Sequence, residues 1–356
     1  MRLKQRATAR LPFFGFLFLA LFLCATAAGA ATLRELRETP GDGERWAEAG
    51  MELLMGAFQA DSFDAAMAKQ AELLELLVER AEIDAANGTA QPETAMLVSY
   101  VGARLYDLLA YRKGDRDLDA LCGRLLRALR ALNGKGGAEL AVGHGTMAAF
   151  MASFAADARA REALYAEAVA AYTVGEEMYL EEGRSADEQQ ALLDCLFLTA
   201  FSRDAAATAD ALLAGRRLEE AARRAAALEA RTVPAGGSAQ EISVAMQRGM
   251  ALTAYYLAQA KTSRSPASRD EWLGKVSALQ EEMAGKELPG APNHFALAEA
   301  EAVRGDAGAC LKHLRDITIN LPPAYPSPAF YARFSVYIAL VADDPGIAEY
   351  LAAEAR

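Results

Sequence analysis

From Thr32 to the C-terminus the apolar residues recur at helical intervals, and nowhere do they alternate with polar ones between turn signals. Leu97, Val101, Leu105 and Leu108 stand four, four and three residues apart, and Trp272, Val276, Leu279 and Met283 repeat the pattern. Each set makes one stripe along a helix of 3.6 residues per turn, and such a stripe must be covered by another helix. The spacing gives no support to strands and predicts an all-α chain.

Helix starts are marked by four pairs at capping-box spacing: Thr32 with Glu35, Ser185 with Glu188, Ser238 with Glu241, and Ser268 with Glu271. In such a pair each side chain satisfies a backbone N–H that the first helical turn leaves open. Short breakers, "NGKGG", "TVPAGGS", "LPGAPN" and "LPPAYPSP", separate the periodic segments. Together these signals predict about twelve to fourteen helices joined by short turns. In "GRRLEEAARRAAALEAR", Glu219 with Arg223 and Glu220 with Arg224 are placed for ion pairs one helical turn apart.

The chain opens on "MRLKQRATAR" and the apolar run "LPFFGFLFLALFLCATAAGA", a basic segment, a short hydrophobic core and a small-residue end. This is the pattern of a secretory signal over residues 1–30, and it predicts an exported protein, periplasmic or secreted, with no membrane span after cleavage. Lipid anchoring through Cys24 is disfavoured because Leu23 stands where a small residue is needed. Cleavage removes four basic residues and no acidic one, taking the formal charge from −11 to −15. A chain this acidic is a poor nucleic-acid binder. The odd cysteine count left, Cys122, Cys195 and Cys310, includes no C-x-x-C pair, and each lies in an apolar helical stretch, so core packing is expected rather than a disulfide or metal site.

Residues 31–356 are long enough for two compact domains or one continuous array, and internal repeats favour the array. In "HFALAEAEAVRGDAGACLKHLRDITINLPP" a first helix carries Leu297 and Ala298, Gly305-Asp306 makes a turn, and a second helix carries Cys310, Leu314 and Ile317 before Pro322. The unit resembles a tetratricopeptide repeat. It departs from the family pattern in three places: Leu314 stands for an aromatic, Cys310 for alanine, and His294 for tryptophan. Similar second-helix patterns are Tyr165, Ala168, Tyr172 and Gly175; Phe63, Ala66 and Leu73; and Leu218, Ala221, Ala225 and Leu228 after a turn at Gly215. The spacing between copies is irregular, unlike the family's period of about 34 residues. The resemblance covers about half the chain and implies a single TPR-like α-solenoid of antiparallel helix pairs.

Gly143-His144-Gly145-Thr146 resembles the block around the catalytic histidine of subtilisin-like proteases, but the aspartate and serine blocks that a triad needs are missing. Leu140, Met147, Met151 and Phe154 carry helical spacing through it, so a helix contact softened by glycine is expected. His294 and His313 lack H-E-x-x-H or paired spacing, so no metal site is expected. Arg304-Gly305-Asp306 is read as the inter-helix turn, and "NGKGG" lacks the features of a phosphate loop. Tyr325, Phe330, Tyr331, Phe334 and Tyr337 are read as a capping helix after a proline stop, with a docking edge as the alternative. Carboxylate-rich stretches single out no acid–base pair.

The resemblance implies a non-catalytic scaffold, without cofactor, that binds a protein or peptide partner on a concave helical surface. Tyr100, Arg104, Tyr111, Tyr255 and Tyr256 are the expected partner-binding residues, since large polar-tipped side chains suit wet interfaces. The alternatives are a solute-binding accessory protein of an envelope transport system and a helical enzyme whose carboxylates the sequence does not identify.

Overall fold

The computed structural model describes residues 33–102, 105–112, 115–155, 157–181, 187–208, 210–231, 238–320 and 341–354. The expected signal segment, Arg104, Thr32, Ser185 and the aromatic run at 325–337 lie outside these residues.

The chain is all-α: the described residues form fifteen helices and no strand. They are α1 (Leu33–Glu38), α2 (Gly43–Phe58), α3 (Phe63–Asn87), α4 (Pro92–Gly102), α5 (Leu105–Tyr111), α6 (Arg116–Leu132), α7 (Gly137–Phe154) and α8 (Ala158–Glu181). There follow α9 (Asp187–Ala207), α10 (Ala211–Glu229), α11 (Ala239–Thr262), α12 (Pro266–Gly285), α13 (His294–Arg304), α14 (Ala307–Asn320) and α15 (Pro345–Glu354). No helix among the described residues is long and apolar enough to cross a membrane.

Side-chain oxygens start most of these helices. Ser62 accepts from the Ala65 amide, Asp115 from Asp117 and Leu118, Asp210 from Leu212 and Leu213, and Asn293 from Phe295 and Ala296. The Ser238–Glu241 box is complete, with Ser238 N–H donating to Glu241 at 2.6 Å and Glu241 N–H donating to Ser238 Oγ at 3.3 Å. The Ser268 box is corrected: Pro266 takes the first helical position, where its missing N–H costs nothing, and Ser265 is the cap. Gly88 and Gly305 end α3 and α13 in the left-handed region, at φ +72° and +88°.

The principal packing runs between near neighbours along the chain: α2 on α3, α3 on α6, α7 on α8, α9 on α10 and α11, α11 on α12, and α13 on α14. Leu97, Val101, Leu105 and Leu108 are all buried, though shared between α4 and α5 rather than carried by one helix. One apolar cluster runs from Leu36 to Ala300, and a smaller one gathers Ala298, Ala302, Cys310, Leu314, Val341, Ile347 and Tyr350 around the last helices.

The RGD tripeptide sits at the α13–α14 turn, where Gly305 supplies the positive φ and the Asp306 side chain accepts from the Ala309 amide at 2.9 Å. The turn expected at Gly215 is corrected, because Gly215 lies inside α10. Arg224 does not pair with Glu220. It crosses to Glu176 on α8 at 2.8 Å and to Asp194 on α9 at 2.6 Å, where two carboxylates converge on it. Cys122, Cys195 and Cys310 are buried and unbonded.

Candidate functional site

The Gly-His-Gly segment is a packing device. α7 carries small residues on several sides, among them Ala138, Ala141, Gly145, Ala148 and Ala152, all buried. A methyl on Gly145 would stand 2.5 Å from two ring carbons of Tyr172 and 2.9 Å from the Ala168 carbonyl oxygen, and one on Gly175 would stand 2.7 Å from Val142. These glycines let α7 and α8 approach more closely than any pair with Cβ atoms could. Gly143 does the same against Val98 of α4.

His144 is 3 % exposed, and its Nε2 lies 2.8 Å from Glu167 Oε1 on α8. Glu167 also takes two hydrogen bonds from Arg130 of α6, from Nε at 2.7 Å and Nη2 at 2.6 Å. Burial acts to raise the Glu167 carboxyl, and the His144 and Arg130 hydrogen bonds outweigh it, holding the group at about 2. His144 Nδ1 is buried without a partner, and no hydroxyl among the described residues is hydrogen-bonded to this ring. The arrangement ties α6, α7 and α8 together.

Four of the five expected partner-binding residues are described, Arg104 lying outside the described residues. Tyr255 and Tyr256 are 5 % and 7 % exposed, so as they stand they offer a partner almost nothing. They pack on Trp272 of α12 with ring centroids 5.8 Å apart in both cases, and Lys275 Nζ lies 4.1 Å from the Trp272 ring. Gln259 donates to the Tyr255 hydroxyl at 2.9 Å, and the Tyr256 hydroxyl donates to Glu229 at 2.7 Å. Burial and then the Glu229 carboxylate push the Tyr256 phenol upward. The two side chains join α10, α11 and α12, which is why aromatics with polar tips stand there. Tyr100 is half-buried, and Tyr111, 41 % exposed, lies edge-on to Phe63 and donates to Asp64.

Two features that spacing does not disclose are assembled by the fold. The first is an open cleft of about 520 Å³ between the first half of α10 and the end of α11. Its lining mixes Ala211, Ala214, Gly215 and Leu218 with the polar Thr208, Glu219, Gln259, Lys261, Thr262 and Arg264. A Cβ on Gly215 would meet nothing within 4 Å, and Leu212 beside it is 68 % exposed. The second brings together His294 at the start of α13 and His313 on α14, with Nδ1 atoms 3.2 Å apart and Asp316 close by. Burial and the neighbouring His294 push the His313 imidazole downward.

No protein-family model, curated protein or solved structure matches this chain.

Proposed function

We propose that the chain is an exported, non-catalytic scaffold of tetratricopeptide-like helix pairs that binds a protein or peptide partner on its helical surface. The α10–α11 cleft carries this reading. Its lining of small and apolar side chains mixed with charged, hydroxyl and amide groups suits a transient, largely polar interface. Packing between helices close in sequence supports it, since arrays built this way present extended surfaces rather than closed active sites. The leader-like sequence at residues 1–30 supports export.

With Tyr255 and Tyr256 buried, the cleft is the docking site of this reading. Leu212, exposed on the first turn of α10 next to the lining residue Ala211, offers an apolar anchor, and Arg264 offers a cation to an acidic partner group. A small solute in so open a cleft would stay largely in water, whereas ligand pockets bury most of their occupant.

A photo-cross-linking residue at Leu212, expressed in the native host, tests the proposal, together with native mass spectrometry of the purified chain. One reproducible protein or peptide adduct is expected. A co-purifying small molecule with no adduct would contradict the scaffold reading and favour solute binding.

A further inference from the structure

We infer that His294, His313 and Asp316 form a binding site for one divalent transition-metal ion of the Zn²⁺ class, spanning the α13–α14 helix pair. His294 is the first residue of α13, directly after the Asn293 cap, and so stands at the open end of the hairpin. His313 and Asp316 lie three apart on α14 and therefore share a face of that helix. The fold thus sets against one another two histidines that are 19 residues apart in sequence.

The distances suit a metal. His294 Nδ1 lies 3.2 Å from His313 Nδ1 and 3.8 Å from Asp316 Oδ2, and one donor atom from each of the three residues falls within 4.8 Å of the others. In a tetrahedral site with metal–nitrogen bonds of about 2.0–2.1 Å, ligand atoms stand roughly 3.3–3.4 Å apart. The two nitrogens are already close to that separation, and the Asp316 oxygen, 3.8 Å from His294 Nδ1, is within reach of a side-chain rotation. Without a cation, the two facing nitrogens are compatible only when one carries a proton and donates to the other. A metal ion uses all three lone pairs at once.

The donor set also selects the ion. Two imidazoles and one carboxylate suit Zn²⁺, Cu²⁺ or Ni²⁺ in preference to Mg²⁺ or Ca²⁺, which take oxygen ligands. All three residues are partly exposed, so water can complete the coordination sphere. Glu301, held by Arg304 at 2.5 Å, adds negative potential at His313 without being a ligand.

The test uses the tag-free chain stripped with chelator and titrated with Zn²⁺ by calorimetry and by competition with a chromophoric chelator, with thermal unfolding in parallel. One ion per chain and an upward shift of the melting temperature are expected. His313→Ala and His294→Ala should lose at least about tenfold in affinity together with the thermal shift, and Asp316→Asn should lose about 10–100-fold. Because these side chains are partly exposed, circular dichroism of the variants should remain that of the parent, and His313→Gln serves as a second variant if His313→Ala unfolds. Absence of stoichiometric binding, or binding that the histidine variants leave unchanged, would overturn the site.

Discussion

Gly145 lies against the Cδ1 and Cε1 atoms of the Tyr172 ring, with no room between them for a methyl group. Helix propensity alone would favour alanine by about 1 kcal/mol. The Ala168 carbonyl oxygen, 2.9 Å from the added atom, belongs to backbone that cannot turn aside. Gly145→Ala is therefore expected to destabilise the fold by about 1–3 kcal/mol in urea unfolding. Gly274→Ala on α12, where nothing lies within 4 Å, should instead stabilise by about 0.5–1 kcal/mol. Equal effects at the two positions would remove close packing as the reason for Gly145.

The buried Arg80–Asp84 pair, at 2.5 Å, lies near the end of α3. Asp84 also accepts from the Gln91 amide at 2.8 Å and from the Thr94 hydroxyl at 2.6 Å, which fixes the start of α4 against the end of α3. Asp84→Ala leaves the Arg80 guanidinium buried beside Trp46 without its counter-charge. A loss of about 3–5 kcal/mol is expected, read as a lower denaturation midpoint.

Glu167 makes part of the stability depend on acid. Its folded value of about 2 lies below the ordinary carboxylate value, so its contribution is full above about pH 4.5 and is lost as pH falls through about 2. With solvent screening allowed for, the effect is on the order of 1 kcal/mol. Glu167→Gln should flatten the stability profile between these limits in a pH series of thermal melts. A profile parallel to that of the parent would count against the assignment.

Burial pushes the Cys122 and Cys195 thiols up to about 12 and Cys310 to about 11, so thiolate is scarce at neutral pH. The native chain should react with Ellman's reagent at none of these three positions within minutes, and at all three in denaturant. Peptide mapping of alkylated protein identifies any exception.

Helix type was legible because stripes such as Trp272, Val276, Leu279 and Met283 are local and periodic. Starts were harder: a search for glutamate three residues after Ser or Thr passes over Asp115, Asp210 and Asn293, which cap with one side chain alone. The sites were largely illegible, since they depend on which helix faces turn together. Tyr255 and Tyr256 have the composition of a wet interface, yet Trp272 covers them. His294 and His313 meet only because α13 and α14 fold back on each other, and Gly215 lines a cleft only because α11 ends beside α10.

Occupation of the cleft by a protein or peptide is best tested with Gly215→Trp. An indole at this position enters space where no atom meets the added Cβ, so it fills the cleft while leaving the α10 core residues Ala214, Leu218 and Ala221 in place. The measurement is the yield of the Leu212 photo-adduct in the native host, compared between parent and Gly215→Trp at equal expression and equal melting temperature. A loss of about tenfold or more is predicted, the scale of blocking one anchor at the centre of an interface. An adduct of undiminished yield would contradict the placement of the partner and, with it, the scaffold account built on this cleft.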